Sequence, residues 1–393
     1  MGMMPRTRAA AIAAVSSLGI AAVTPVAAKT FVYVSNALDG EIEAYAMDTK
    51  TGALTGLGKT KAGKVVMPMA ISPNKRFLYA AVRSEPFSVI TYAIDPATGE
   101  LTQKASARLP DSMPYVSTDN TGRFLFTASY GGHKLAVSPI GANGLVEAPA
   151  IQVLETGKNA HSIMADKTNK FVYVPNLGSN QIMQFKFDAK TGKLTPNDPP
   201  LVKARADHGP RHFRISNDNR FMYVMNELSG HVAQFAIDRT KGTLKEVDSV
   251  ASVPADAGLV PGVAQAPVGS AAMAAPAAAA APKADDKPKI WAADLQLTPN
   301  GKFLYSTERT TAKIALFKVA SGTGKLTYVT NIATEKQPRG IKVDPSGKFL
   351  VASGEKSDKL TVYKIDQKSG MLTEAGRFPV GNGANWVEVI TLP

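Results

Sequence analysis

The sequence has no cysteine, and that one absence removes disulfide bridges, thiolate nucleophiles and cysteine-based metal sites together. Long apolar runs are missing as well once the N-terminus is passed. Nothing there approaches the eighteen or more consecutive apolar residues of a membrane span, so no stable membrane insertion is expected. Acidic residues are in the minority, 32 against 45 basic ones, for a formal charge of +13. The excess does not mark a nucleic-acid binder. Its lysines and arginines are scattered through turns, as at Lys75, Lys190, Lys241 and Lys348, with no basic run interleaved with the aromatics on which unpaired bases stack. A general attraction to small anions remains.

The first residues have the layout of a secretory signal. Arg6 and Arg8 form a basic start, Ala9 to Val23 an apolar stretch, and Val26-Ala27-Ala28 a small-residue cleavage site. Residues 1–28 are therefore expected to be removed after Ala28, leaving a periplasmic or secreted chain, 29–393, whose charge is +11 without the two signal arginines. A monomer is expected.

Along the rest of the chain one short pattern recurs: a β-rich segment, a polar turn, then a phenylalanine that opens a run of β-formers. The turns read, for example, Ser72-Pro73-Asn74-Lys75-Arg76 and Asp344-Pro345-Ser346-Gly347-Lys348. The phenylalanines are Phe31, Phe77, Phe124, Phe171, Phe221, Phe303 and Phe349, spaced 46, 47, 47, 50, 82 and 46 residues apart. Many repeats also carry a Thr-Gly-x-Leu turn, as at Thr51-Gly52-Ala53-Leu54. Four strands in about 45 residues is the period of a propeller blade, so seven anchors predict an all-β, seven-bladed β-propeller of four-stranded blades. The first repeat has no strand before Phe31, and the last is followed by a surplus β-like segment at Trp386-Val387-Glu388-Val389-Ile390. The C-terminal strand is expected to complete the first blade, which closes the ring and leaves no open sheet edge.

The one long interval contains 251–289, a stretch dominated by alanine and proline. It reads as a disordered or polyproline-like insertion between blades 5 and 6. A lid is the second reading, because the link from an outer strand to the next inner strand emerges beside the start of the inner strand.

In a propeller the innermost strand lines the central channel and its neighbour runs back beside it, so the start of the first and the end of the second meet at one mouth. Ten positions before the anchors stand Met67, Pro114, His161, Arg211 and Arg339; six after stand Arg83, Tyr130, Leu177, Glu227, Arg309 and Glu355. One mouth thus collects His161, Arg211 with its neighbour His212, Arg339, Arg309, Glu227 and Tyr130, a set suited to a small anion because guanidinium forks pair with carboxylate or phosphate. Arg83 and Glu355 are expected to be solvated loop residues, and the opposite mouth shows no comparable set.

Gly209-Pro210-Arg211-His212-Phe213 together with Asn226-Glu227-Leu228 resembles the most characteristic stretch of the propeller lactonases, a family that includes propeller-type 6-phosphogluconolactonases and a fungal carboxymuconate cyclase. Ser129-Tyr130-Gly131-Gly132, Ala160-His161-Ser162 and Gln337-Pro338-Arg339-Gly340 extend the resemblance over most of the chain outside the insertion. It implies His161, Arg211, Glu227 and Arg309 as catalytic residues; His212, Arg339, Tyr130 and Asp294 are expected to bind substrate beside them. The implied reaction is opening of a sugar or related lactone that carries a carboxylate or phosphate, with no cofactor and no metal. His161 or Glu227 would be the base, and Arg211 and Arg309 would stabilise the oxyanion. Two alternatives use the same residues: a non-catalytic periplasmic propeller that binds a small anion, a glycan or a protein, and a muconate-type lactonising cyclase.

Overall fold

The computed structural model describes residues 1–4, 28–267 and 287–393. Most of the expected signal segment and residues 268–286 of the expected insertion lie outside the described residues. Among those described, seven four-stranded antiparallel sheets form the blades, and no helix is long and apolar enough to cross a membrane. The C-terminal strand Ala384–Leu392 is the innermost strand of blade 1, paired with Lys29–Asn36 in the register Phe31↔Ile390 and Tyr33↔Glu388. Ring closure therefore follows the expectation drawn from the surplus segment.

The phenylalanine anchors recur because each serves as a contact between blades. Every anchor ring lies against the glycine of the tight turn that joins the two outer strands of the next blade, from Phe31 on Gly99 round to Phe349 on Gly52. These glycines have a left-handed backbone, φ +82° at Gly52, which costs glycine nothing and other residues more. A Cβ at Gly52 would stand 2.7 Å from the Phe349 ring, closer than atoms can pack. A tyrosine two residues past the anchor adds a second tie: Tyr33 donates its hydroxyl to Gly99 O (2.8 Å) and Tyr305 to Gly370 O (2.7 Å). Replacing Gly52 by alanine should destabilise the seam between the last blade and the first by about 2–4 kcal/mol. A thermal melt of the variant that matched the unmodified protein would refute that account of the repeat.

Candidate active site

Two repeated backbone devices build the mouth. The first is a bulge. Inner strands Val66–Ile71, Pro210–Ile215, Ala292–Leu297 and Pro338–Val343 each shift register against their neighbour at the same place, next to Met67, Arg211, Ala293 and Arg339. An extra residue in one strand re-aims the side chains there, so adjacent residues such as Arg211 and His212 both turn inward. The second device is a bond from the residue six past the anchor to the residue twelve before it. Arg83 donates its N–H to Val65 O, Glu227 to Gly209 O, Arg309 to Trp291 O and Glu355 to Gln337 O. Together they draw the end of the second strand to the channel mouth in blade after blade.

The side chains so gathered form a buried charge chain. Arg211 is 1% exposed; its Nε donates to Glu227 Oε2 at 2.7 Å and its Nη1 to Ala293 O at 2.6 Å. Arg309 Nη2 stands 2.8 Å from Glu227 Oε1 as an ion pair whose angle departs from that of a hydrogen bond, while its Nε donates to Trp291 O at 3.0 Å. Burial pushes the Glu227 carboxyl up, but Arg309, Arg211 and Arg339 pull it to a net value below the ordinary one. His212 links the chain to blade 6. Burial, then Arg211, press it down to about 3, so it is neutral at physiological pH. Its neighbours then fix the tautomer: Nδ1 donates to Asp294 Oδ1 at 3.1 Å, and Nε2 accepts from Arg211 Nη1 at 3.2 Å.

A cavity of about 40 Å³ opens above this chain, lined by His161, Glu227, Tyr130, Arg83, Arg309 and Arg339, with Gln265 and Ala266 over it. Of the residues expected at the site, His161, Glu227, Arg309, Arg339 and Tyr130 face this space. Arg211, His212 and Asp294 lie behind it and hold Glu227 and each other. His161 is packed edge-on by Tyr130 and His212, ring centroids 5.5 and 5.1 Å away, and its buried Nδ1 has no hydrogen-bond partner among the described residues. Burial, then the charges of Arg211, His212 and Arg339, hold its pKa well below the usual histidine value.

Three expectations are corrected. Arg83 is not a solvated loop residue: it is 3% exposed and lines the cavity, donating to Ser112 Oγ (3.1 Å) and Met67 Sδ (3.0 Å), and among the described residues it forms no ion pair with a carboxylate. Burial, with Arg339 beside it, lowers its pKa to about 9. Glu355 is half-buried and receives Arg339 Nη1 at 3.0 Å and Gln337 Nε2 at 2.6 Å. The opposite mouth is not bare of charge either: a cavity of about 450 Å³ there holds Arg214, Lys342 and Glu388, the last two paired at 2.7 Å.

Composition gave no sign of the contacts made by the described start of the insertion. Gly262 N–H donates to Leu228 O, the Trp291 indole to Val263 O at 3.4 Å and the Tyr130 hydroxyl to Gln265 O at 2.9 Å. Residues 262–266 thereby form a strap across the mouth. Outside the strap lies a second cavity of about 560 Å³ between blades 6 and 7, sharing Gln265 and Arg309 with the first.

Comparison with known proteins bears on both the ring and the mouth. Residues 31–389 match the family model described as Lactonase, 7-bladed beta-propeller. A protein of Pectobacterium carotovorum named 6-phosphogluconolactonase is 37% identical over 361 residues, 92% of this chain and 98% of that one. One of the same name from Serratia proteamaculans is 37% identical over 362 residues, 92% and 99% of the two chains. Among solved structures, the periplasmic gluconolactonase of Pseudomonas aeruginosa has the same fold, with a TM-score of 0.78 at 24% identity over 93% of this chain and 99% of that one.

Proposed function

The chain belongs to the family of seven-bladed β-propeller lactonases and is a lactone-hydrolysing enzyme, and from that premise we propose that the inner cavity opens a sugar-type lactone with His161 as the base. A contrast between two groups carries the assignment. Glu227 has both oxygens committed to guanidinium groups, which leaves neither free to take a proton. His161 is uncharged and has a ring nitrogen without a partner among the described residues.

In this scheme His161 takes a proton from water as the water oxygen bonds to the lactone carbonyl carbon. The resulting oxyanion is held by Arg83, which among the described residues forms no ion pair, and by Arg309. Collapse breaks the bond between the carbonyl carbon and the ring oxygen, and protonated His161 returns its proton to the departing alkoxide. The products are a carboxylic acid, which then releases its proton to solvent, and a free hydroxyl, so atoms and charge balance with water as the sole co-reactant. Glu227 and Arg211 set the position of Arg309 and touch no reacting atom. A cavity of about 40 Å³ accepts a carbonyl and a water molecule but not a sugar ring. The ring therefore occupies the outer cavity, whose volume is within the range for small-molecule sites.

The test is hydrolysis of a panel of aldonolactones, phosphorylated aldonolactones and lactones bearing a carboxylate, read as acid release by the purified protein. Turnover of at least one is expected. Anion binding without turnover across the panel would make the propeller a recognition ring and overturn the hydrolase reading.

Residues 1–28 are proposed to export the chain, on the strength of Arg6, Arg8, the apolar stretch and the Ala27-Ala28 site. N-terminal sequencing of the protein from a periplasmic fraction should begin at Lys29; recovery only from the cytoplasm, with Met1 retained, would refute export.

A further inference from the structure

We propose that the cavity at the opposite mouth of the channel is a second ligand site, which takes a small hydroxylated monocarboxylate: Arg214 holds the carboxylate, and Glu388 and Trp386 meet the hydroxyl-bearing chain. The site is separate from the reaction centre, so its test is binding and does not depend on turnover.

The cavity of about 450 Å³ is within the range for small-molecule sites. Its charged lining is Arg214, Lys342, Lys75 and Glu388, three cations to one carboxylate, which favours an anion. The three cations are not equally free. Lys342 is paired with Glu388 Oε2 at 2.7 Å, and Lys75 Nζ donates to Thr391 O at 3.0 Å. Arg214, its side chain 20% exposed, is held more loosely. Its Nη1 donates to Phe213 O at 2.8 Å, but Nε reaches Gln296 Oε1 at 3.4 Å and Nη2 reaches Asp294 Oδ1 at 3.5 Å. That Asp294 oxygen already accepts from His212 Nδ1 at 3.1 Å and from the Leu295 N–H at 2.9 Å. The Tyr115 hydroxyl beside the guanidinium is a neutral neighbour, and it donates to Met164 Sδ at 3.2 Å. Among the described residues, then, the carboxylate that faces Arg214 is both distant and shared. A guanidinium fork so placed on a cavity wall suits a ligand carboxylate in the bidentate geometry.

Glu388 selects the rest of the ligand. Its Oε1 accepts the Trp386 indole N–H at 3.0 Å, and its Oε2 holds Lys342, which leaves each oxygen a lone pair for a ligand hydroxyl. The same carboxylate repels a second negative charge, so a monoanion is favoured over a dianion such as sulfate. Trp386 and Tyr115, ring centroids 5.5 Å apart in an edge-to-face pair, give the carbon chain an apolar wall with a polar rim.

The experiment titrates gluconate, a six-carbon hydroxylated monocarboxylate, into the full chain carrying Trp291→Phe, with acetate and sulfate as comparisons. The chain has two tryptophans and Trp291 stands at the other mouth, so the emission of Trp386 reports on this cavity. A saturable change is expected, with a lower midpoint for gluconate than for acetate or sulfate. Adding Arg214→Gln should raise the gluconate midpoint by about tenfold or more, the loss of a charge-assisted pair. Adding Glu388→Gln instead should lower the sulfate midpoint by about threefold or more. That is a gain that misfolding cannot produce, so it decides the matter even where Arg214→Gln fails to fold. The absence of any saturable change with gluconate would overturn the site. So would acetate or sulfate as the tighter ligand, a gluconate midpoint unmoved in folded Arg214→Gln, or a sulfate midpoint unmoved by Glu388→Gln.

Discussion

Glu227→Ala is expected to lower the unfolding free energy by about 3–5 kcal/mol, the range for a buried ion pair deprived of one partner, and to cut turnover by about 10²–10³-fold. Both effects have one source. Glu227 stands between two guanidinium groups, Arg211 at 2.7 Å and Arg309 at 2.8 Å, all three side chains nearly excluded from solvent. Without the carboxylate, two like charges face each other in a low-dielectric interior, and Arg309 loses the contact that fixes it at the cavity. Glu227→Gln should have a smaller effect on stability, since the amide oxygen still accepts one hydrogen bond while the charge is lost. The informative variant removes all three charges, as Arg211→Met/Glu227→Leu/Arg309→Met. Replacing a buried ionic group by apolar residues of similar volume tends to be neutral or stabilising, so denaturant unfolding should show stability largely restored while activity stays absent. If the alanine variant unfolded like the unmodified protein, or the triple variant retained turnover, the charge chain would have neither the structural nor the positioning role assigned to it.

That chain also shows how far the sequence could be read. The ring was legible because its repeats answer a local requirement that each blade meets with the same residues: Phe31 needs Gly99, Phe349 needs Gly52, and the spacing between them counts the blades. The mouth was legible for a similar reason, since in four of the blades the bulge and the turn bond fall at fixed distances from the anchor. What could not be read was which way each side chain turns. Arg211 and Arg309 looked equivalent, yet the bulge sends Arg211 behind the cavity to Ala293 O while Arg309 remains on its wall. Arg83 has a charged side chain in a loop and looked solvated; its burial depends on Ser112 and Met67, the latter in the preceding inner strand. The strap left no trace at all, because its ties to Leu228, Trp291 and Tyr130 run through its own backbone N–H and carbonyl groups, which every residue carries.

The second large effect is expected on acidification and centres on His161. Its pKa in the folded protein is well below the ordinary histidine value, as is that of His212, at about 3. The unfolded chain protonates both near pH 6.5, so between that pH and the folded values the unfolded state binds more protons. Stability therefore falls as pH drops, by about 1.4 kcal/mol per pH unit for each fully buried histidine, and the loss begins near pH 6.5. Glu227 and Asp294, whose folded values are depressed, add to the loss only as pH falls below about 4.5, where their unfolded forms take up protons. Catalysis should respond differently. His161 stays in its basic form well below pH 6.5, so kcat should remain level through mildly acid pH and fall where the protein unfolds, without the usual histidine limb. His161→Phe separates the two effects. It keeps an aromatic ring against Tyr130 and His212, should remove about a third to a half of the stability slope between pH 6.5 and 5, to which His212 and the less buried His208, lowered to about 4, also contribute, and should lower kcat by about 10²–10⁴-fold at every pH. A histidine limb near pH 6.5 in the unmodified enzyme would mean that His161 titrates as an exposed group and that its burial does not set its protonation. A phenylalanine variant with full turnover would show that the proton goes elsewhere, and Glu227 would then be the group to re-examine, since it shares the same cavity wall.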